Sequence, residues 1–222
     1  RLQFSFFLYN SLFMSICLSI CSGRFVSVVD TESWSWFNFV YFYAVAFSLY
    51  FFITFLVQLL LTGIFNIFKL RKTVIVLSLL LDAVILILFL ADTFVFNQFR
   101  LHINLAMLEM TFLGGGQIVS FSPKMLIEIF GLSAACVAAA VLCVFLAVKL
   151  NKSKRFAVTT FVFSLLLLII TNGIHGFAFA THKQNYVEVS EMLPLNKPLT
   201  FSKLLIKTGI LTKEEVYSTE LP

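Results

Sequence analysis

The sequence predicts an all-α membrane protein: a five-helix transmembrane bundle over residues 1–179, then a linker over 180–222 that carries short helices. Three observations predict it. The chain is 60% hydrophobic and only 12% charged, with a mean hydropathy of +0.98, which a water-soluble core does not explain. Its charge-free runs reach the roughly twenty residues that a helix needs to cross a bilayer. Its positive residues gather beside those runs, at Lys69, Arg71 and Lys72 and again at Lys149, Lys152, Lys154 and Arg155. The formal charge of +5 therefore speaks for membrane topology and against nucleic acid.

Helix one is expected from Phe4 to Ser22, rich in Ser and Phe and ending at Gly23-Arg24. The run is long for a signal peptide and lacks a small-x-small cleavage site, so it reads as a retained helix. The chain opens on Arg1 and not Met, which suggests a missing start. A loop with Arg24, Asp30 and Glu32 leads to Trp34 and Trp36, a pair suited to a membrane–water interface. Helix two takes much of Phe37 to Phe68, longer than an upright crossing needs, so it tilts or begins in the interface. Helix three spans Thr73 to Ala91, broken only by Asp82, and serves as the organiser because its basic start orients the chain. Helix four is expected from Met125 to Val148, after the Gly114-Gly115-Gly116 loop and Pro123-Lys124. Its Gly131, Ala135 and Ala139 form a small-residue seam for a close helix neighbour. Helix five runs from Phe156 to Phe179. With five spans both purely basic clusters share one side, which places the N-terminus in the cytoplasm and the C-terminus outside.

The polar residues offer several candidate sites, each with a plainer reading beside it. Asp82 sits at the midpoint of helix three, where a charge costs a few kcal/mol on insertion scales. It is either functional or a structural contact to Ser78, Gln58 or Asn172, and it lies too far along the axis from Asp92 for a carboxylate dyad. The run from Asp92 to Asn104 joins Asp92, Asn97, Gln98, Arg100, His102 and Asn104 to three phenylalanines. It makes either an interfacial cap or a plug that docks a periplasmic domain or a lipid headgroup. His175, with Asn172 and Gly176, reads first as a helix-packing hydrogen bonder. The three histidines fit no zinc spacing, and Cys17, Cys21, Cys136 and Cys143 read as packing residues within spans. No nucleophile elbow, Walker loop or two-metal set occurs, so neither enzyme activity nor a cofactor is expected.

In the tail, Pro194 and Pro198 stiffen an extended approach. Thr200 is placed to cap a helix from Phe201 to Thr208, stopped by Gly209. Phe201, Leu204, Leu205 and Thr208 share one face, with Lys203 and Lys207 projecting from another. Such a helix suits the headgroup layer of a membrane, the alternative being a linker packed on a neighbouring domain. Thr212 and Glu215 have capping-box spacing for a further short helix.

The order Asp92-x-x-Val-Phe-x-x-Phe-x-Leu-His-x-Asn104 after a third span resembles the YejM/PbgA family of enterobacterial-type inner-membrane proteins. The tail Leu-Pro-Leu-x-x-Pro-x-Thr200 before a short basic helix and Gly209, the early Phe-x-Leu-Tyr-Asn10, and Ser22-Gly-Arg-Phe25 are also similar to it. The resemblance implies five membrane helices, a periplasmic linker, and a large sulfatase-like periplasmic domain that these residues do not include. It further implies a regulator of lipopolysaccharide synthesis in the bacterial inner membrane. Such a protein senses lipid A in the periplasmic leaflet and restrains the adaptor LapB, which otherwise helps FtsH destroy LpxC. It implies a lipid A contact at a basic pair in the linker helix, which here reads Ser202-Lys203. One charge is kept there but the guanidinium fork is lost, with Lys197 and Lys207 placed to compensate. The resulting candidate set is Lys197, Thr200, Phe201, Ser202, Lys203, Leu205 and Lys207, taking lipid A or another anionic phospholipid. Rival readings are an anchor for a missing phosphatase/sulfatase-like or phosphoethanolamine-transferase domain, a cardiolipin-binding or transport protein, and a small transporter built on Asp82.

Overall fold

The computed structural model describes residues 4–29, 31–32, 34–104, 106–107, 109, 123–213 and 216, with side chains in the fourth helix described from Ile127 onward. Helices α1 (Phe4–Val26), α2 (Trp36–Ile67), α3 (Arg71–Phe99), α4 (Pro123–Leu150) and α5 (Lys154–Ala180) are followed by two short ones, α6 (Gln184–Glu191) and α7 (Ser202–Lys207). The described residues contain no strand, and the first five helices are long and apolar enough to cross a membrane. The chain is an all-α, multi-pass membrane protein.

The helix around which the others pack is α1 and not α3: α2, α3, α4 and α5 all contact it. Its sequence explains why. It is the least hydrophobic of the spans, at a mean hydropathy of 1.7 against up to 3.0 for α3, and the most enclosed, 61% buried. Serines on a span are tolerated where other helices shield them, and small side chains let backbones approach. Ser5, Ser11, Ser15, Ser19 and Ser22 are all buried, and Ser15 and Ser22 donate to the carbonyls of Leu12 and Leu18, each at 2.8 Å. Most large residues that face outward, such as Leu60, Leu80, Leu88 and Phe163, belong to the surrounding helices, and α1 adds only Phe4, Ile16 and Ile20.

The N-terminal half of α1 clamps the turn between α4 and α5. Tyr9 donates to the Ser153 carbonyl at 2.8 Å and stacks on Phe156 at 5.9 Å, while Ser5 donates to Asn151. This places the N-terminal end of α1 beside the Lys149–Arg155 cluster. Because successive spans alternate in direction, Lys69–Lys72 lies at the same end. Tyr9→Phe removes one hydrogen bond and leaves the ring stack. It is expected to cost about 1 kcal/mol, read from thermal unfolding in detergent.

Several expectations need correction. Helix three does not end at Ala91 but continues through Asp92 to Phe99, and Arg100 closes it in the left-handed conformation, φ 58°. The apolar pattern fades there, but backbone hydrogen bonding does not. Of the seam of Gly131, Ala135 and Ala139, Ala139 packs against the bundle core, whereas Gly131 and Ala135 are exposed and a Cβ on Gly131 would meet nothing within 4 Å. α4 turns Cys136, Ala140, Cys143 and Ala147 inward instead. Helix α6 breaks what the sequence suggests is a plain polar tail. Asp30, the Gly114–Gly116 loop and Glu214-Glu215 lie outside the described residues, as do the side chains of Pro123 and Lys124.

Candidate functional site

Beyond α5 the chain folds back onto its last two turns. His182 takes a left-handed conformation, φ 56°, and the Lys183 amide donates to the Ala178 carbonyl at 2.9 Å, which reverses the chain into α6. There Ser190 Oγ and His175 Nδ1 share a hydrogen bond of 2.6 Å, with both residues buried. Tyr186 meets Tyr41 edge-on at 5.5 Å, and the Tyr41 hydroxyl donates to the Thr171 carbonyl at 3.3 Å. After α6, Asn196 donates to the Ser190 carbonyl at 2.5 Å, and Asn172 Oδ1 accepts from the Leu199 amide at 3.3 Å. Asn172 and His175 thus act as docking points for the tail.

The tightest contact is between Phe201 and Gly176. A Cβ on Gly176 would lie 2.2 Å from Phe201 Cδ2, so the ring occupies the space that glycine leaves. Helix α7 begins directly after this wedge. It is shorter than the sequence suggests, Ser202–Lys207, and its N-cap is Phe201, not Thr200, with no side-chain cap. Thr200 is exposed beside exposed Lys197. Gly209, φ 73°, follows the helix. Lys203, Leu204 and Lys207 are exposed, whereas Phe201, Ser202, Leu205 and Ile206 are half-buried. The outward surface therefore combines two ammonium groups with Leu204. Leu205 and Phe201 turn partly toward the protein.

At the far end of α3 the other candidates close into a cap. The Asp92 carboxylate accepts from the Ile103 amide at 2.6 Å and shares a 2.7 Å hydrogen bond with His102 Nδ1. The His102 ring stacks on Phe96 at 4.8 Å and meets Phe25 edge-on at 5.3 Å. Asn104 Oδ1 accepts from the Met107 amide at 2.9 Å, and Arg100 is exposed. Arg24 lies over the Phe94 ring at 4.6 Å and pairs with Glu128 of α4 at 3.8 Å. The chain leaving α3 is thus folded back against the helix, held by Asp92 through the Ile103 amide and the His102 ring.

Asp82 is fully buried and joins three helices. It accepts from Asn10 of α1 at 2.8 Å and from Gln58 of α2 at 2.5 Å. Ser78 and Asn172 are not its partners: Asn172 Nδ2 donates to the Leu168 carbonyl. The thiols of Cys17 and Cys143 approach to 3.7 Å, all four cysteines are free, and no cluster able to hold a metal occurs among the described residues. Asn10, which donates to Asp82, and Ser190 and Tyr41, which help hold the tail, are residues that sequence reasoning overlooked. Asn10 carried a signal, being the one carboxamide inside α1.

A family model described as a domain of unknown function, DUF3413, matches residues 1–220. None of the curated proteins compared with the chain matches it.

Proposed function

The chain belongs to the DUF3413 family, and on that premise we propose that it regulates lipopolysaccharide synthesis from the bacterial inner membrane. In this reading the N-terminus is cytoplasmic and α7 lies at the periplasmic face, where it takes the phosphates of lipid A. The chain itself carries no catalysis; its membrane helices restrain a LapB-type adaptor and so govern FtsH-dependent loss of LpxC. The observation that carries the proposal is α7 wedged onto span five by Phe201 and Gly176, with Lys203, Leu204 and Lys207 exposed. Ammonium groups beside an apolar side chain suit an anionic headgroup with its acyl chains below. The resemblance to the YejM/PbgA family supports the same assignment, as does the gathering of both acid-free basic clusters at the opposite end of the bundle.

The proposed mechanism is a population shift. Lipid A held by Lys203 and Lys207, with chains along Leu204 and the open edges of Phe201 and Leu205, changes how α7 sits on α5. That docking is tied to His175 and Tyr41, and through Tyr41 to α2. The test is co-purification of lipopolysaccharide with the protein from bacterial membranes. Lys203→Glu with Lys207→Glu is expected to reduce it roughly thirtyfold, since each lysine near an anionic surface is worth about 1 kcal/mol. Unchanged lipopolysaccharide in the double variant would end the proposal.

A further inference from the structure

We infer that the flank of α5 opposite the tail helix holds a second lipid site, which takes one acyl chain of an outer-face phospholipid and its phosphate at Lys183. It takes the orientation of the bundle from the proposed function but does not depend on lipid A binding. Asn172 and Gly176 face the tail. Ile170 and Ile174 are each two residues from Asn172, hence about 200° round the helix. On that opposite flank a cleft of about 630 Å³ opens between α2 and α5, walled by Phe37, Val40, Ile170, Ile174 and Phe177 and floored by Tyr41.

Size and position select the occupant. The volume is in the range of ligand pockets, about 300–1,000 Å³. The α5 wall, from Leu167 to Ala178, rises about 16 Å, the depth of one leaflet in a hydrocarbon core about 30 Å thick. A cleft one leaflet deep and open to the bilayer takes an extended chain, and it is too short for a partner's spanning helix. At its mouth a smaller depression of about 260 Å³ is lined by Lys183, Gln184, Asn185 and Tyr186, and Lys183 and Tyr186 line both spaces. The depression therefore offers an ammonium group and two carboxamides. No acid lines either space, and Lys183 makes no ion pair among the described residues. A phosphate above a chain matches that charge and that layering.

The experiment uses the protein in nanodiscs of phosphatidylcholine doped with a photoactivatable phosphatidylglycerol, or with the same photoactivatable chain on phosphatidylcholine. Cross-linked peptides are read by mass spectrometry. The phosphatidylglycerol probe is expected to label 167–178 and 37–44 more strongly than the phosphatidylcholine probe. Lys183→Gln is expected to lower the phosphatidylglycerol labelling about fivefold and to leave the other probe unchanged. This residue is exposed, so the variant tests binding and not folding. Gly173→Leu points a side chain into the cleft from a position where a Cβ meets nothing within 4 Å. It is expected to reduce labelling by both probes. Equal labelling by the two probes, or labelling indifferent to either substitution, would overturn the site. Lys203→Glu with Lys207→Glu is expected to leave this labelling intact, and a loss there would assign the signal to α7 instead.

Discussion

Asp82→Ala is expected to lower the unfolding midpoint of the protein in detergent by roughly 5–10 °C, the largest effect of any single side chain inside the bundle. The loss does not come from a missing charge. It comes from the Asn10 and Gln58 amides, which donate to Asp82 at 2.8 and 2.5 Å from two other helices. Without the carboxylate both donors are stranded in a dry interior, at about 1–3 kcal/mol each. Measured hydrogen bonds between membrane helices average nearer 0.6 kcal/mol, so roughly 2–4 kcal/mol in total is the reasonable range. Asp82→Asn is expected to recover most of it. The amide oxygens of Asn10 and Gln58 lack partners, so a new carboxamide finds acceptors once these groups reorient. The decisive comparison is the triple variant Asn10→Leu, Gln58→Leu, Asp82→Leu. If the cost lies in orphaned donors, removing all three restores stability. A triple variant as unstable as Asp82→Ala would refute that account.

Gly176→Ala is the second large effect, and it acts on the tail without touching the candidate lysines. The added Cβ would lie 2.2 and 2.8 Å from Phe201 Cδ2 and Cε2, closer than any packed carbons. A ring is stiff, so the tail must move. Overpacking of this kind costs about 1–3 kcal/mol. In limited proteolysis of the protein in detergent, cleavage between Leu195 and Thr200 is therefore expected to accelerate about tenfold or more. Phe201→Ala in the same chain removes the clash. The double variant should then be cleaved no faster than Phe201→Ala alone. Equal cleavage of Gly176→Ala and the parent would show that the wedge does not hold the tail.

Much of this molecule was legible in its residues. The five spans were, because a helix buried in lipid must run about twenty apolar residues without interruption, and little else produces such runs. The ends were less so. The Asp92–Phe99 stretch reads as polar and aromatic, yet it continues α3, because hydrogen bonding carries a helix past the point where hydropathy falls. α6 was missed because its eight residues, with only Tyr186, Val187 and Val189 apolar, are too few to stand out from the polar tail around them. Its place comes from Val189, Ser190 and Tyr186 meeting α5 and α2. Of the two residues that donate to Asp82, Gln58 was among the partners the sequence suggested and Asn10 was not, since the crossing of α1 and α3 cannot be read from either helix alone. The tail's lysines could be placed on one small helix from their spacing. That Phe201 would be turned onto Gly176, while Leu204 faces out, could not.

The amino-acid order alone determined the five helices, among the described residues, that are long and apolar enough to cross a membrane and which of their ends lie together, because transfer from water to lipid acts on each segment independently. Tertiary structure alone decided that α1 stands at the centre, that Asp82 is shared by three helices, and that the tail is pinned by a ring against a glycine. Those outcomes depend on which faces meet, and inside lipid that choice rests on close packing and hydrogen-bond partners, which no single segment specifies.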